Sequence, residues 1–236
     1  MKYETTVTDI IQRTHAVKSF RFPRPPDFVF KPGQFLFIAI KDGQEELKKH
    51  FSISSSPTDA GYVEFTKKLT GNRFSNALDA LKVGSWARID GPYGGFTFEG
   101  EYEKIAMLTG GIGITPLMSI CKFCTDRGLG TSISLLYSSH TTADIAFRAE
   151  LDELQARNKN LKLVLSITDV DPSWNGVKGR INAEMVKKEI PDFNERIFFV
   201  SGPVSMVQDM VGMLKQMDIK QERIKEDLFT GFDLGR

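Results

Sequence analysis

A compact apolar run, Ile105-Ala-Met-Leu108, passes directly into Thr109-Gly-Gly-Ile-Gly-Ile-Thr-Pro116 and then into residues 115–126, which carry helical patterning. An uninterrupted apolar run of this length suits a strand buried on both faces of a parallel sheet. The order strand, glycine turn, helix therefore commits this part of the chain to an α/β layer architecture. Thr115 is expected to cap the helix through its hydroxyl, with Pro116 at the first helical position, where a missing N–H does no harm. The free amides of the first turn and the positive end of the helix dipole then face the turn, a setting suited to a pyrophosphate. Gly110, Gly111 and Gly113 lack Cβ atoms and let phosphates approach the backbone. The loop lacks both the third glycine of the usual dinucleotide fingerprint and the Gly-Lys-Ser/Thr ending of a P-loop.

The chain before this loop has another texture. Short β-like runs at Val17–Phe22, Gln34–Ile40, Tyr62–Lys67 and Trp86–Asp90 are punctuated by Gly and Pro, which predicts an antiparallel β-barrel or sandwich. After Lys104, strand-like and helix-like segments alternate: Ile133–Tyr137, Ile145–Arg157, Leu161–Ile167, Asn182–Glu189, Arg196–Val200 and Ser205–Met217. That alternation predicts βαβ units around a parallel sheet. Two domains are expected, 1–99 and 100–236, meeting near Glu99-Gly100.

Composition narrows the function class. The 236 residues are 41% hydrophobic and 26% charged, enough for a substantial core, and 31 basic against 30 acidic residues leave a net charge of +1. Such a balance argues against a chain built to coat nucleic acid or an anionic membrane. The start, Met1-Lys-Tyr-Glu4, leads into alternating residues without an apolar h-region, and no apolar run is long enough to span a bilayer, so a cytoplasmic location is expected. Cys121 and Cys124 are the only cysteines, too few for a four-cysteine iron–sulfur or zinc site; one helical turn apart, they read as packing residues. Any redox centre is expected to be an organic cofactor or a metal held otherwise, and no residue is assigned as a metal ligand.

Five motifs in order resemble the ferredoxin-NADP reductase family over nearly all of residues 30–230. The Gly-Gly-x-Gly-x-Thr-Pro loop resembles its pyridine-nucleotide loop, and Lys49-His-Phe-Ser-Ile-Ser-Ser55 its Arg-x-Tyr-Ser-x-x-Ser flavin motif. Phe30-Lys-Pro-Gly-Gln-Phe35 and Gly91-Pro-Tyr-Gly-Gly-Phe96 resemble the turns that precede the flavin strand and close the flavin domain. Phe199-Val-Ser-Gly-Pro-Val-Ser-Met206 is similar to the family's Cys-Gly-Pro segment beside the nicotinamide. The resemblance implies a FAD-binding barrel and an NAD(P)-binding domain, with no fused iron–sulfur module.

It also implies roles. Lys49 stands where the family's arginine pairs with flavin phosphates, keeping the charge but not the planar fork. Phe51 replaces the stacking tyrosine, and Ser52 keeps the hydrogen bond to flavin N5. Arg73, in Gly71-Asn-Arg-Phe-Ser-Asn-Ala-Leu78, is the candidate for sharing the phosphates, with the backbone amides of Ser75 and Asn76 beside it. His50, Ile53, Tyr62, Lys67 and Phe74 complete the expected flavin contacts. Ser201 replaces the family cysteine near nicotinamide C4, flanked by Gly202, Pro203 and Met206. Glu226, in Ile224-Lys-Glu-Asp-Leu-Phe-Thr-Gly-Phe232, is expected to set the charge near the nicotinamide, while Phe229 or Phe232 shields the flavin. Ser52, Ser201 and Glu226 thus form the expected catalytic set. Ser138, Ser139 and His140 lie where the adenosine ribose is read, and they leave NADH and NADPH equally open.

The function so implied is transfer of hydride from NADH or NADPH to FAD and then of electrons to a small carrier such as ferredoxin or flavodoxin. A rim of Lys48, Lys67 and Lys68 would suit an acidic carrier. The alternative is a flavin-bearing electron-transfer or regulatory subunit of a larger complex.

Overall fold

In a computed structural model, which describes residues 1–169 and 172–230, the N-terminal part of the chain holds seven strands and one short helix. The strands are β1 (Lys2–Thr6), β2 (Asp9–Thr14), β3 (Val17–Pro23), β4 (Phe35–Asp42), β5 (Glu45–Ser52), β6 (Tyr62–Lys68) and β7 (Trp86–Tyr93), with α1 (Arg73–Asp79) between the last two. They form two antiparallel sheets, ordered β1-β7-β4-β5 and β2-β3-β6, joined by an isolated bridge between Ile53 and Phe65. This is the expected antiparallel unit, folded as two sheets over a shared core. Alternation along β3 and β6 sends Phe20, Phe22 and Phe65 inward, where Phe65 stacks on both at 5.4 and 5.8 Å.

The C-terminal part contains β8 (Lys104–Gly110), α2 (Ile114–Asp126), β9 (Ser132–Ser139), α3 (Arg148–Arg157), β10 (Leu161–Ile167), β11 (Val177–Lys178), α4 (Ala183–Glu189), β12 (Ile197–Pro203), α5 (Val204–Gln216) and β13 (Ile224–Phe229). Its six strands run parallel in the order β11-β10-β9-β8-β12-β13. The apolar run of β8 is explained by two-sided burial. Ile105 and Met107 join the core under α2 and α3, while Ala106 and Leu108 join the core under α4 and α5. From β8 the chain winds outward to β9, β10 and β11, then returns to lay β12 on the other side of β8. The order reverses there, so a crevice opens at the carboxyl ends of β8 and β12, where α/β sheets bind ligands.

The two parts share a seam along α2. Ser119 Oγ donates to the Ser55 carbonyl at 2.6 Å, Thr58 Oγ1 to Asp126 at 2.7 Å, and Lys122 pairs with Asp59 at 3.3 Å. Val17 of β3 is packed into the core of the C-terminal part. Among the described residues no helix is long and apolar enough to cross a membrane.

Candidate functional site

The Gly-rich loop is held from behind by β12. Gly111–Gly113 form a single 3-10 turn that runs straight into α2, whose N-cap is Gly113. The helix therefore begins earlier than the sequence suggested, and Thr115 and Pro116 lie inside its first turn. Thr115 is not the cap: its hydroxyl donates back to the Ile112 carbonyl at 3.1 Å. Pro116 still falls where no intrahelical acceptor is needed. Ser201, fully buried, donates from Oγ to the Gly113 carbonyl at 2.6 Å, and its own carbonyl accepts from Thr109 Oγ1 at 2.9 Å. These bonds staple the end of β12 to the loop. A Cβ on Gly113 would lie 2.6 Å from Thr109 Oγ1 and 2.7 Å from Gly202 Cα, whereas one on Gly111 would meet nothing. Gly110 is closed from the α5 side, where a Cβ would stand 2.7 Å from Met206 Sδ.

A cleft of about 610 Å³ opens in front of the loop. One wall is Gly110, Gly111, Pro203 and Met206; Ser138, Ser139, His140 and Thr168 follow along the strand ends. Met210, Met213, Arg180 and Asn182 form the far side, and the N-terminal part contributes Thr14, Ala16, Val17 and Lys68. The cradle fits a dinucleotide: the backbone is bare at Gly111, and Ser139 Oγ, buried in the wall, makes no hydrogen bond of normal geometry among the described residues. His140 Nδ1 lies 3.2 Å from Thr168 Oγ1. Asp144 is occupied as the partner of Thr141 in a capping box. A smaller cavity, about 310 Å³, lies at the opposite end of the sheet against Ser132, Lys162 and Arg196.

On the other side of the seam, β5 and β6 bring Lys49 and Lys67 together. Burial first, then the charges of Lys49 and Lys68, pulls Lys67 down to about 8. Crowding cations in this way is the electrostatics of an anion site and fits flavin phosphates. Phe51 stacks on Phe65 at 4.8 Å and leans on Phe74 at 5.7 Å, with Lys49 over the Phe74 ring.

Several expected contacts lie elsewhere. Arg73 is exposed and ion-paired with Asp42 at 2.8 Å and Glu45 at 2.6 Å, carboxylates distant in sequence. The Ser75 amide donates to the Asn72 side chain and the Asn76 amide to the Asn72 carbonyl, so α1 consumes both donors itself. His50 turns to the other face of β5 and packs on Phe35 and Phe37. Ile53 is a core residue, and Tyr62 sits under Arg21 at the far end of β6 from Lys67. Lys48, Lys67 and Lys68 do not form one rim. Lys48 pairs with Asp90 on the outer face, Lys67 is buried, and Lys68 lines the cleft.

The correction with most consequence concerns Glu226, which is exposed and hydrogen-bonded to Gln221 at 2.9 Å. Its neighbour Asp227 is the residue that turns inward. Asp227 is the register partner of Ser201 across β12 and β13, and its Oδ2 accepts from Ser52 Oγ at 3.3 Å. Burial raises Asp227 to about 6, against the lowering effect of the Ser52 bond. The signal was available in strand alternation: one register step separates a solvent-facing from a site-facing carboxylate. Phe229 packs against the core of the C-terminal part; Phe232 lies outside the described residues. Cys121 and Cys124 are both buried, with the Cys121 thiol pushed up by burial, in keeping with packing.

Comparison with known proteins gives two family matches. Residues 4–98 match the oxidoreductase FAD-binding domain and residues 107–212 the oxidoreductase NAD-binding domain. The chain is 31% identical to the glycine betaine monooxygenase reductase subunit of Chromohalobacter salexigens, over 97% of this chain and 64% of that protein. It is 31% identical to NADH-cytochrome b5 reductase 1 of Aspergillus terreus, over 86% of this chain and 72% of that one. The solved structure of the ferredoxin reductase in carbazole 1,9a-dioxygenase superposes with a TM-score of 0.83 at 27% identity, covering 98% of this chain and 70% of the other. The chain thus spans less than two thirds of the glycine betaine relative's length.

Proposed function

Because this chain belongs to the ferredoxin-NADP reductase-like family of oxidoreductases, with an FAD-binding and an NAD-binding domain, we propose that it passes reducing equivalents from NADH or NADPH through FAD to a protein acceptor. The observation that carries this reading is the seam at Ser52 and Asp227. There the flavin-side serine meets a strand whose register partner, Ser201, is stapled to the glycine loop. We take 1–99 as the flavin domain and 100–236 as the nucleotide domain. Bound flavin would supply the redox chemistry, accepting hydride at N5 from nicotinamide C4 and releasing the electrons singly.

The residues then divide the work of binding and orientation. Lys49 and Lys67 hold the flavin phosphates, Phe51 and Phe74 border the ring system, and Ser52 presents its oxygen to N5. Gly110, Gly111 and the first turn with Thr115 and Pro116 receive the pyrophosphate. Ser138, Ser139 and His140 face the adenosine ribose, and Gly202, Pro203 and Met206 border the nicotinamide. Ser201 acts through the loop it holds. The names of the relatives, reductase components of oxygenase systems, support a small electron carrier such as ferredoxin or flavodoxin as acceptor.

The deciding experiment is anaerobic addition of NADH or NADPH to FAD-reconstituted protein. Loss of the visible flavin band is expected, and failure to retain any flavin would end the reading. The phosphate assignment has its own test. Lys49→Ala or Lys67→Ala should weaken FAD binding roughly ten-fold or more, the scale of a lost charge-assisted hydrogen bond. Arg73→Ala should leave it within about two-fold, since that guanidinium is already paired on the surface. Affinity should also fall as pH rises past about 8, where Lys67 gives up its proton in the free protein. Titration of FAD by fluorescence quenching across pH reads all three.

A further inference from the structure

The β2–β3 hairpin leaves the flavin side and ends inside the nucleotide cleft, where Thr14, Ala16 and Val17 face Gly110–Ile112. Arg13, at its neck, has a side chain only 10% exposed and is saturated with partners from both halves of the molecule. On the flavin side, Nε donates to Ser19 Oγ at 2.8 Å and NH2 to Glu64 at 3.2 Å. Glu64 is itself buried and accepts from Ser54 Oγ at 2.9 Å, two residues along the chain from Ser52. On the nucleotide side, NH1 pairs with Glu150 of α3, and the guanidinium lies 4.7 Å over the ring of Phe147. Phe147 ends the loop that follows β9, in which His140, Asp144 and Ala146 line the cleft. It holds a left-handed backbone, φ 59°, a conformation a bulky side chain keeps only when its surroundings impose it.

We propose that Arg13 is a positioning residue for hydride transfer, an inference that rests on the flavin and nicotinamide reading above. A continuous path, Ser52 to Ser54, Glu64, Arg13, and then Phe147 with Glu150, fixes the serine beside the flavin relative to the wall that seats the nucleotide. The α2 seam holds the other side of the cleft, so the two domains are pinned on both flanks. An arginine suits this task because one rigid planar fork reaches two carboxylates and a ring face at once; a lysine reaches one. Hydride transfer falls steeply with donor–acceptor distance and angle, so a pin of this kind acts on the transfer step more than on binding.

The test uses full-length, FAD-reconstituted protein and three substitutions. Glu150→Ala removes the ion pair of the cross-domain half of the clamp from a part-exposed site and leaves the Phe147 ring contact, so the flavin domain keeps its buried Arg13–Glu64 pair. Arg13→Lys keeps a second charge for Glu64, and Arg13→Met leaves Glu64 with Arg21 alone, at 2.8 Å. For Glu150→Ala, flavin content and nucleotide Kd should stay near wild type. The limiting rate of flavin reduction at saturating nucleotide should drop roughly ten-fold, as expected for a small misplacement of reacting groups. The long-wavelength charge-transfer absorbance of stacked nicotinamide and flavin should weaken in parallel. Arg13→Met should lose more than Glu150→Ala, and Arg13→Lys should recover part of the difference. In the flavin-free chain, hydrogen–deuterium exchange should rise at residues 141–150 in Glu150→Ala and stay unchanged in β4 and β5. An unchanged limiting rate and charge-transfer band in Glu150→Ala, with wild type reduced normally, would overturn the positioning role. A wild-type protein that binds FAD yet is not reduced would instead overturn the reading on which it rests.

Discussion

Gly113→Ala is expected to weaken pyridine-nucleotide binding by roughly a hundred-fold or more and to destabilise the protein by about 3–5 kcal/mol, while FAD remains bound. The added Cβ would overlap the Ser201 carbonyl, Thr109 Oγ1 and Gly202 Cα, which are mostly backbone atoms with no rotamer to change. The loop and the end of β12 would have to separate. That movement breaks the Ser201–Gly113 and Thr109–Ser201 hydrogen bonds, both buried. Overpacking of about 1–3 kcal/mol and two buried hydrogen bonds near 1 kcal/mol each make up the estimate. Gly111→Ala is the informative contrast. Its Cβ meets no protein atom, so the fold should lose only about 1–2 kcal/mol from the left-handed backbone at φ 54°, yet phosphate approach is blocked. Thermal unfolding beside nucleotide titration separates the two effects. Normal nucleotide binding by Gly113→Ala would show that the stapled loop is not the dinucleotide cradle.

Asp227→Asn should slow flavin reduction about ten-fold or more above pH 6 and, in the flavin-free protein, raise stability by up to about 3 kcal/mol. Half-buried beside Ser52, Asp227 is pushed up by desolvation from 3.8 to about 6. A carboxyl raised in the native state binds its proton more tightly folded than unfolded. Its ionisation therefore costs nothing below pH 3.8, costs progressively more between 3.8 and about 6, and carries the full penalty above that. Asparagine removes the penalty, so the stability gain should be present at pH 7 and vanish below about pH 4. The effect on reduction has a different origin. Once ionised, Asp227 takes the Ser52 hydroxyl hydrogen and leaves the serine oxygen free to accept a hydrogen bond from the N5–H that a bound flavin would carry once reduced. A break near pH 6 in the limiting rate of reduction is expected for the native chain and should be absent in Asp227→Asn. A break that persists in the variant would remove Asp227 from this role.

Much of the architecture was legible because it follows from local rules. The apolar run at Ile105–Leu108 reads as a strand buried on both faces, and the glycines after it as a turn into a helix. Together they announced the cleft at the head of the parallel sheet. Lys49, Phe51 and Ser52 were singled out by a motif, and their contact with flavin is a proposal. Other residues were misread where long-range partners decide. Arg73 looked available for phosphates until Asp42 and Glu45 claimed it. Ser75 and Asn76 looked like open amides until Asn72 capped them. Glu226 and Asp227 are adjacent acids that only the pairing of β13 with β12 tells apart. Thr115 lost its capping role because the Gly111–Gly113 turn starts the helix early.

The sequence by itself determined the two-part division, the order of strands and helices, the bare backbone at the nucleotide loop and the flavin motif, since periodicity, glycine placement and short motifs act within a few residues. Tertiary structure alone decided which carboxylate meets Ser52, which cations are crowded and which are paired, and that Arg13 reaches across to Glu150 and Phe147. Those outcomes depend on contacts between residues as much as 175 positions apart, and in the folded chain a one-residue change of strand register or a single competing ion pair is enough to reverse them.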